Sequence, residues 1–474
     1  MNLYQTVLRS EIPPYPLSLA SLQRPMSPLK FVPQSVQEYI SQHPQFSKIL
    51  ENIGWLFFDK ILRMGLGLLI GVWTARYLGP EQFGLLNFAI AFTWLFGAIS
   101  TLGLPEIVVR DLVREPDTKL ETLGTTAALL FLGGVLTYCL ILITIFWIRP
   151  EDMLAKVIVA ILGSVVLFKA SEIAIYWFES QVTSKYTVWV QNGSFLIFAG
   201  IKVLLILSGT PLIAFAWAML AEAMIAAIML SIMLGLHGPR LRQLSVSLTR
   251  TQILLRDSWP LLLSSIAVVV YMKIDQIMLG QMVGDEAVGI YSAAVRVSEV
   301  WYFIPTTIVA SVFPAILNAR SRSKEEYYKK MQQLFDLMLL LSICIALPMT
   351  FLSESVVRIL FGEAYLAAST VLTIHIWTSV FVFLGVVSSK WFIAEDKQIL
   401  SLQRTIIGAL FNIFLNFLLI PQLGMFGAAF STLLAQFIVG LLSDIFQKET
   451  RSIFIMKIKS FNLFSSIKRM ELIK

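Results

Sequence analysis

Long apolar blocks, separated by short polar stretches, organise this chain. Twelve blocks can be drawn, at roughly 54–76, 84–104, 123–147, 153–174, 188–208, 211–236, 259–281, 288–316, 332–352, 367–390, 404–420 and 425–446. Each approaches the roughly 20 residues that a helix needs to cross a hydrocarbon core. Turn residues and charges fall between them. The pattern predicts an all-α polytopic membrane protein of about twelve transmembrane helices. The fourth block is the least clean, because Lys169 and Glu172 blur its end.

Composition agrees with the pattern. The chain is 57% hydrophobic and only 14% charged, with a mean hydropathy of +0.76. Soluble domains average about 45–50% apolar and about 25% charged residues. The longest polar connection, roughly His237–Ser258, leaves no room for a soluble catalytic domain. The first fifty residues differ: Pro13, Pro14, Pro16, Pro25, Pro28 and Pro33 interrupt them, and no apolar core of a signal peptide appears. Residues 1–50 are expected to be a disordered or surface-lying cytoplasmic extension. Cys139 and Cys344 lie in separate apolar blocks without metal-ligand spacing, and are expected to be small buried hydrophobes.

The basic residues set an orientation. They crowd alternate connections: Arg110, Arg114 and Lys119; Arg240, Arg242, Arg250 and Arg256; Arg320, Arg322, Lys324, Lys329 and Lys330; Lys397 and Arg404; and a basic tail over 447–474. The intervening connections carry little beyond Arg76, Arg149 and Arg358. Basic loops stay cytoplasmic, so an even number of spans with both termini in the cytoplasm is expected. This asymmetry accounts for much of the +7 net charge. No basic stripe interleaved with aromatics appears in a soluble segment, so nucleic acid is not an expected partner.

Two turns repeat about two hundred residues apart. Gly79-Pro80-Glu81-Gln82-Phe83-Gly84 and Gly284-Asp285-Glu286-Ala287-Val288-Gly289 both read G-x-E-x-x-G, and both lead into helices of small residues. A fainter echo joins Ala218–Glu222 to Thr432–Gln436. Six spans are therefore expected to repeat as six more, giving lobes over 51–240 and 241–446. Because six is even, the lobes are parallel. Such repeats are a transporter architecture, with the substrate path between them.

Three stretches carry a family resemblance: Ala75–Gly84, Ile274–Gly280 continuing through Gly284–Ala294, and Ile420–Ala429. Over roughly 50–446 the chain resembles the polysaccharide-unit flippases. These are O-antigen and exopolysaccharide translocases of the multidrug/oligosaccharidyl-lipid/polysaccharide exporter superfamily. The resemblance implies two six-helix lobes around a central cavity, working by alternating access in the bacterial inner (plasma) membrane. It implies a polyprenyl-diphosphate-linked oligosaccharide cargo, moved from the cytoplasmic to the periplasmic leaflet, often with ion coupling. A polysaccharide polymerase and glycosyltransferases would be functional partners. A cation-coupled drug antiporter and a lipid II flippase are alternatives from the same superfamily.

Ionisable residues inside spans are the candidate site, since a charge at mid-bilayer costs about 2.5–3.5 kcal/mol on insertion scales. A flippase must shelter sugar hydroxyls and a diphosphate from hydrocarbon, so cations are the natural lining. The candidates are Lys60 and Arg63 in span one, Lys202 in span five, Lys273 in span seven and Arg296 in span eight. Each has a plainer reading. Arg63 would pair with Asp59, Lys60 would snorkel to headgroups, Lys202 would pair with Glu222, and Arg296 would pair with Glu299. For coupling to a proton or sodium ion, or for gating, the candidates are Asp275, Glu222 and His375. Asp275 would otherwise fix helix packing. Pro305 and Pro314 are candidate hinges. Asp336 reads as interfacial.

No catalytic triad, zinc-protease motif or phosphate-binding loop is present, so a transporter rather than an enzyme, with no resident cofactor, is expected. A membrane transferase would need a large outer loop. A non-transporting scaffold would not explain charges within spans.

Overall fold

A computed structural model describes residues 44–471, with side chains placed from 54 to 469. Residues from Leu56 onward form one compact unit, separate from the unit ending at Trp55. The extension expected over 1–50 lies almost wholly outside the described residues. Among those residues every regular element is helical.

The helices are α1 (Pro44–Ser100), α2 (Pro105–Arg114), α3 (Lys119–Ile148), α4 (Met153–Gly163), α5 (Ile173–Ser180), α6 (Lys185–Leu207) and α7 (Leu212–His237). Then come α8 (Leu248–Met282), α9 (Asp285–Glu299), α10 (Phe303–Arg322), α11 (Lys324–Phe361), α12 (Ala368–His375), α13 (Thr378–Ala394), α14 (Gln398–Leu423) and α15 (Met425–Gly440). Two short helices follow, α16 (Arg451–Ser460) and α17 (Leu463–Glu471).

Among the described residues, eleven helical segments are long and apolar enough to cross a membrane. The first, Gly54–Arg114, has 61 residues. At about 1.5 Å per residue it is three times the thickness of a hydrocarbon core of about 30 Å. Its backbone leaves helical geometry at Gly79, with φ 73° and ψ 170°, and Pro80 restarts the helix. This glycine divides the segment in two and gives twelve spans. Gly284, at φ 123°, makes the corresponding turn before α9. A side chain at either position would be strained.

Several starts are capped as the sequence allows. Asp152 accepts from the Ala155 N–H, and Ser247 from the Arg250 N–H. Ser323 accepts from the N–H groups of Glu325 and Glu326. These satisfy donors that a helix N-terminus leaves open.

Span four departs from a regular helix where the charges blur it. Ser164–Glu172 is a 3-10 segment between α4 and α5, with Lys169 and Glu172 paired at 2.6 Å. The connection expected over His237–Ser258 is shorter, since α8 begins at Leu248. Within the basic tail, residues up to 471 include two helices. Helices α16 and α17 pack on α11, and Arg469 bonds both oxygens of Asp336, at 2.7 and 2.9 Å. Cys139 and Cys344 correct an expectation, for both are exposed on the outside of the bundle. That surface is apolar, as at Trp147, Leu136 and Phe351, so a thiol there sits among lipid-facing side chains.

Helix α8 touches both halves of the chain. Near its start it meets the turn after α1, where Gly103 lies against the backbone of Ser258 and Leu262. Further along, Tyr271 meets Gly408 on α14. The repeated turns also meet each other. A Cβ on Gly84 would stand 1.7 Å from the Asp285 carbonyl oxygen, and one on Gly289 would stand 1.9 Å from that of Pro80. Only glycine permits so close an approach.

Candidate functional site

Helices α1, α8 and α9 enclose a cavity of about 370 Å³, lined by Arg63, Asn87, Trp94, Lys273, Gln276, Ser292, Arg296 and Glu299, with apolar neighbours. A second cavity of about 160 Å³ shares Gly67, Asn87, Ile90 and Arg296 with it and extends to Phe195, Phe215 and Lys202. Arg296 stands where the two adjoin. Counting from the turn at Gly79, Gly71 lies about 12 Å and Arg63 about 24 Å down α1. The lining therefore runs from the middle of the span towards its basic-loop end.

Four of the five proposed cations border this space. Arg63 holds Asp59 at 2.8 Å and lies over the Phe195 ring. Lys202 holds Glu222 at 2.8 Å, the pairing expected as the plainer reading. Lys273 lies 5.9 Å from the centre of the Trp94 ring, and Arg296 lies 5.4 Å from that of Phe83. Neither has a carboxylate within 4.0 Å among the described residues. The expected Arg296–Glu299 ion pair is thus not formed, although both side chains border the cavity. Lys60 falls outside it: its Nζ donates to Thr306 Oγ1 at 3.3 Å on the exposed side. Arg63 and Lys60 therefore do not converge on one site.

The coupling candidates sit behind the lining. Asp275 is buried on α8 and accepts from Tyr291 Oη of α9, from Thr432 Oγ1 of α15 at 3.3 Å, and from the Gln276 N–H at 2.8 Å. One residue away, Gln276 faces the cavity. His375 is buried on α12, its Nδ1 3.0 Å from Ser298 Oγ and its ring edge-on to Tyr291. It does not line the cavity. Pro305 is buried just after the 3-10 turn Val300–Tyr302 that interrupts span eight, whereas Pro314 lies within α10.

Near the turns at Gly79 and Gly284, side chains link early residues to late ones. Arg149 places two nitrogens on Asp285, at 2.7 and 2.9 Å, a third bond on the Gly280 carbonyl at 3.0 Å, and its plane 3.9 Å over Phe88. Arg76 donates to the carbonyls of Leu360 and Ile359 at the end of α11, at 2.7 and 2.5 Å. Tyr365 Oη donates to the Ala75 carbonyl at 2.8 Å. These latches join the residues before 150 to those after 280. Two of their arginines, Arg76 and Arg149, had counted only as sparse charges of the less basic face. Their partners are too distant in sequence for spacing to reveal.

The opposite, basic-loop face has its own links. Arg250 bonds Asp111 at 2.9 Å and Glu115 at 2.7 Å, and Arg110 bonds Asp257 at 2.6 Å. Sequence reasoning also missed Gly71. Its position beneath the Arg296 guanidinium is what lets that side chain lie across α1.

The family described as "Polysaccharide biosynthesis protein" matches residues 49–320, more than half of the chain. A second, MatE, matches residues 260–418. A probable flippase of Haloferax volcanii, AglR, is 32% identical over 223 residues, 43% of this chain and 44% of that protein. The probable low-salt glycan biosynthesis flippase Agl15 of the same organism is 22% identical over 390 residues, 80% of this chain and 79% of that one. Among solved structures, the lipid II flippase MurJ in an inward closed conformation superposes with a TM-score of 0.68 at 17% identity. That match covers 88% of this chain and 92% of MurJ, and it is a likeness of fold.

Proposed function

This chain belongs to the polysaccharide biosynthesis protein family, and on that premise we propose that it is a flippase for a lipid-diphosphate-linked oligosaccharide. The observation that carries the reading is the cavity wall. Two cations without carboxylate partners, Lys273 and Arg296, face a polar space deep inside an apolar bundle. Such charges are costly to bury, and they are retained at this depth where an anion repays them. A guanidinium donates two parallel bonds to a phosphate, and an ammonium adds a point charge. Asn87, Gln276 and Ser292 supply the neutral partners that sugar hydroxyls need on leaving water. Relatives whose names contain "flippase" support the same reading.

The two halves of the chain act as the two lobes. With the latches at Arg149 and Arg76 closed, cargo enters from the basic-loop side once the links of Arg250 and Arg110 there part, and in this reading that side is the cytoplasm and holds both termini. Release to the other leaflet requires those latches to part. A volume of about 370 Å³ is that of a small-ligand site. In this state it holds the diphosphate and the first sugar, not a long glycan. Asp275 ties α8, α9 and α15 together, so a proton or sodium ion arriving there would change the packing of all three.

The test uses full-length protein in proteoliposomes with a tagged polyprenyl-diphosphate glycan. Wild-type protein should move the tag between leaflets. Hydrogen bonds to charged groups contribute about 1.5–3 kcal/mol, so Arg296→Ala and Lys273→Ala should each slow it about ten- to a hundred-fold. Unchanged rates in both variants would remove the cavity from the path. Faster movement of a cationic dye than of the glycan lipid would favour a drug antiporter. A preference for lipid II would keep the chemistry and change the cargo.

A further inference from the structure

A second group of buried charges lies away from the cavity, where α14, the 3-10 turn Leu442–Ile445 and α16 meet. Asp444 is 1% exposed, Lys457 0% and Arg404 7%. Lys457 occupies the carboxylate: its Nζ donates to Asp444 Oδ2 at 2.6 Å and to the Gly440 carbonyl at 2.5 Å. Arg404 reaches Asp444 only at 3.9 Å, beyond hydrogen-bond distance. Its Nε and Nη1 are buried without any hydrogen-bond partner, and its guanidinium lies over Phe392 at 4.8 Å. Two cations thus share one carboxylate, and the arginine is the one left over.

Beside Arg404 is a pocket of about 130 Å³. Its polar wall holds Gln403, Ser443, Gln447 and Thr450, and its mouth holds the exposed apolar side chains Ile407 and Phe446. A buried guanidinium with unmet donors demands an acceptor, and one carrying negative charge also balances the cluster. We infer that this pocket binds a phosphate group through Arg404, and that the phosphate is the headgroup of a membrane lipid. The apolar mouth selects the lipid source. Ile407 and Phe446 lie where acyl chains would leave the pocket, at the end of spans α14 and α15. The glutamines bonded across the opening, Gln447 Nε2 to Gln403 Oε1 at 3.3 Å, offer further donors without charge. Asp444 does not repel the ligand strongly, because Lys457 neutralises it at contact distance.

The test uses the full chain, delipidated in detergent, followed by thermal unfolding. Phosphatidylglycerol should raise the midpoint saturably. Diacylglycerol with the same chains should not. The shift should persist in Arg296→Ala, which leaves this pocket intact, and vanish in Arg404→Gln. Gln447→Glu, a change at the pocket mouth, keeps Arg404 in place and should weaken the lipid several-fold if Arg404→Gln does not fold. A shift by inorganic phosphate but not by the lipid would overturn the lipid assignment. No response to either probe, an equal response to diacylglycerol, a shift that persists in folded Arg404→Gln, or, where Arg404→Gln does not fold, unaltered lipid affinity in Gln447→Glu would overturn the site.

Discussion

Gly71 lies directly beneath the guanidinium of Arg296: a Cβ built on Gly71 would stand 1.5 Å from Arg296 Nη1 and 2.6 Å from Cζ. The glycine therefore sets where the cation stands. Gly71→Ala should displace Arg296 from the wall shared by the two cavities while leaving its charge in place. Transport should fall by a factor approaching that of Arg296→Ala, with insertion and thermal stability nearly unchanged. A Gly71→Ala protein that transports at the wild-type rate would show that the arginine's position is immaterial.

Gly84 and Gly289 form the tightest contact between the repeated turns. Methyl groups there meet backbone, which cannot swing aside as a side chain can. Overpacking of this kind costs about 1–3 kcal/mol. Gly84→Ala should lower the unfolding midpoint, and Gly289→Ala should do the same. Because the two act on one contact, the double variant should lose less than the sum of the single losses. Strict additivity, measured by thermal unfolding in detergent, would mean that the turns are independent.

Arg149 and Asp285 form the charged latch, with the arginine side chain 9% exposed. Removing one partner of such a pair strands the other. Asp285→Asn should loosen the latched end, seen as faster labelling of a cysteine introduced at Ala287. Arg149→Asp combined with Asp285→Arg should restore slow labelling in part, since the Gly280 carbonyl bond and the Phe88 stacking are not recovered. Labelling that ignores all three substitutions would count against the latch.

Lys457 lies outside the spans, and burial pushes its ammonium down from the usual 10.5 to about 8. The folded protein therefore releases this proton before the unfolded chain does. Between about pH 8 and 10.5 the unfolded state holds more protons, so this lysine makes the fold relatively more stable as pH rises through that window. The gain is on the order of 2–3 kcal/mol. Wild type should gain on Lys457→Met as pH is raised from 8 to 10. A difference in unfolding midpoint that stays flat over that range would show that the Asp444 contact outweighs burial.

The spans were legible because hydrocarbon imposes a length and a composition that local sequence must meet. The turns at Gly79 and Gly284 were legible because they recur. The cavity cations Arg63, Lys202, Lys273 and Arg296 stood out as charges inside apolar blocks. What each one does was not legible, since it depends on neighbours far along the chain. Lys60, three residues from Arg63, faces Thr306 instead of the cavity. Asn87 and Gln276 are neutral and raised no signal, yet both line the cavity. Arg149 lay in a connection, and only folding brings Asp285, 136 residues on, to its guanidinium. The tail read only as basic sequence, because the partners that dock it, Asp336 for Arg469, Gln332 for Ser460 and Asp444 for Lys457, are set by folding and not by spacing.

The meeting of Gly84 with Gly289 places bare main chain against bare main chain. Such a joint carries no side-chain knobs that must find new holes when it slides or parts, so its two surfaces can disengage and re-seat repeatedly in the same register. If the proposed lobe movement parts this joint, the clasp of Arg149 and Asp285 beside it can be re-made by attraction alone.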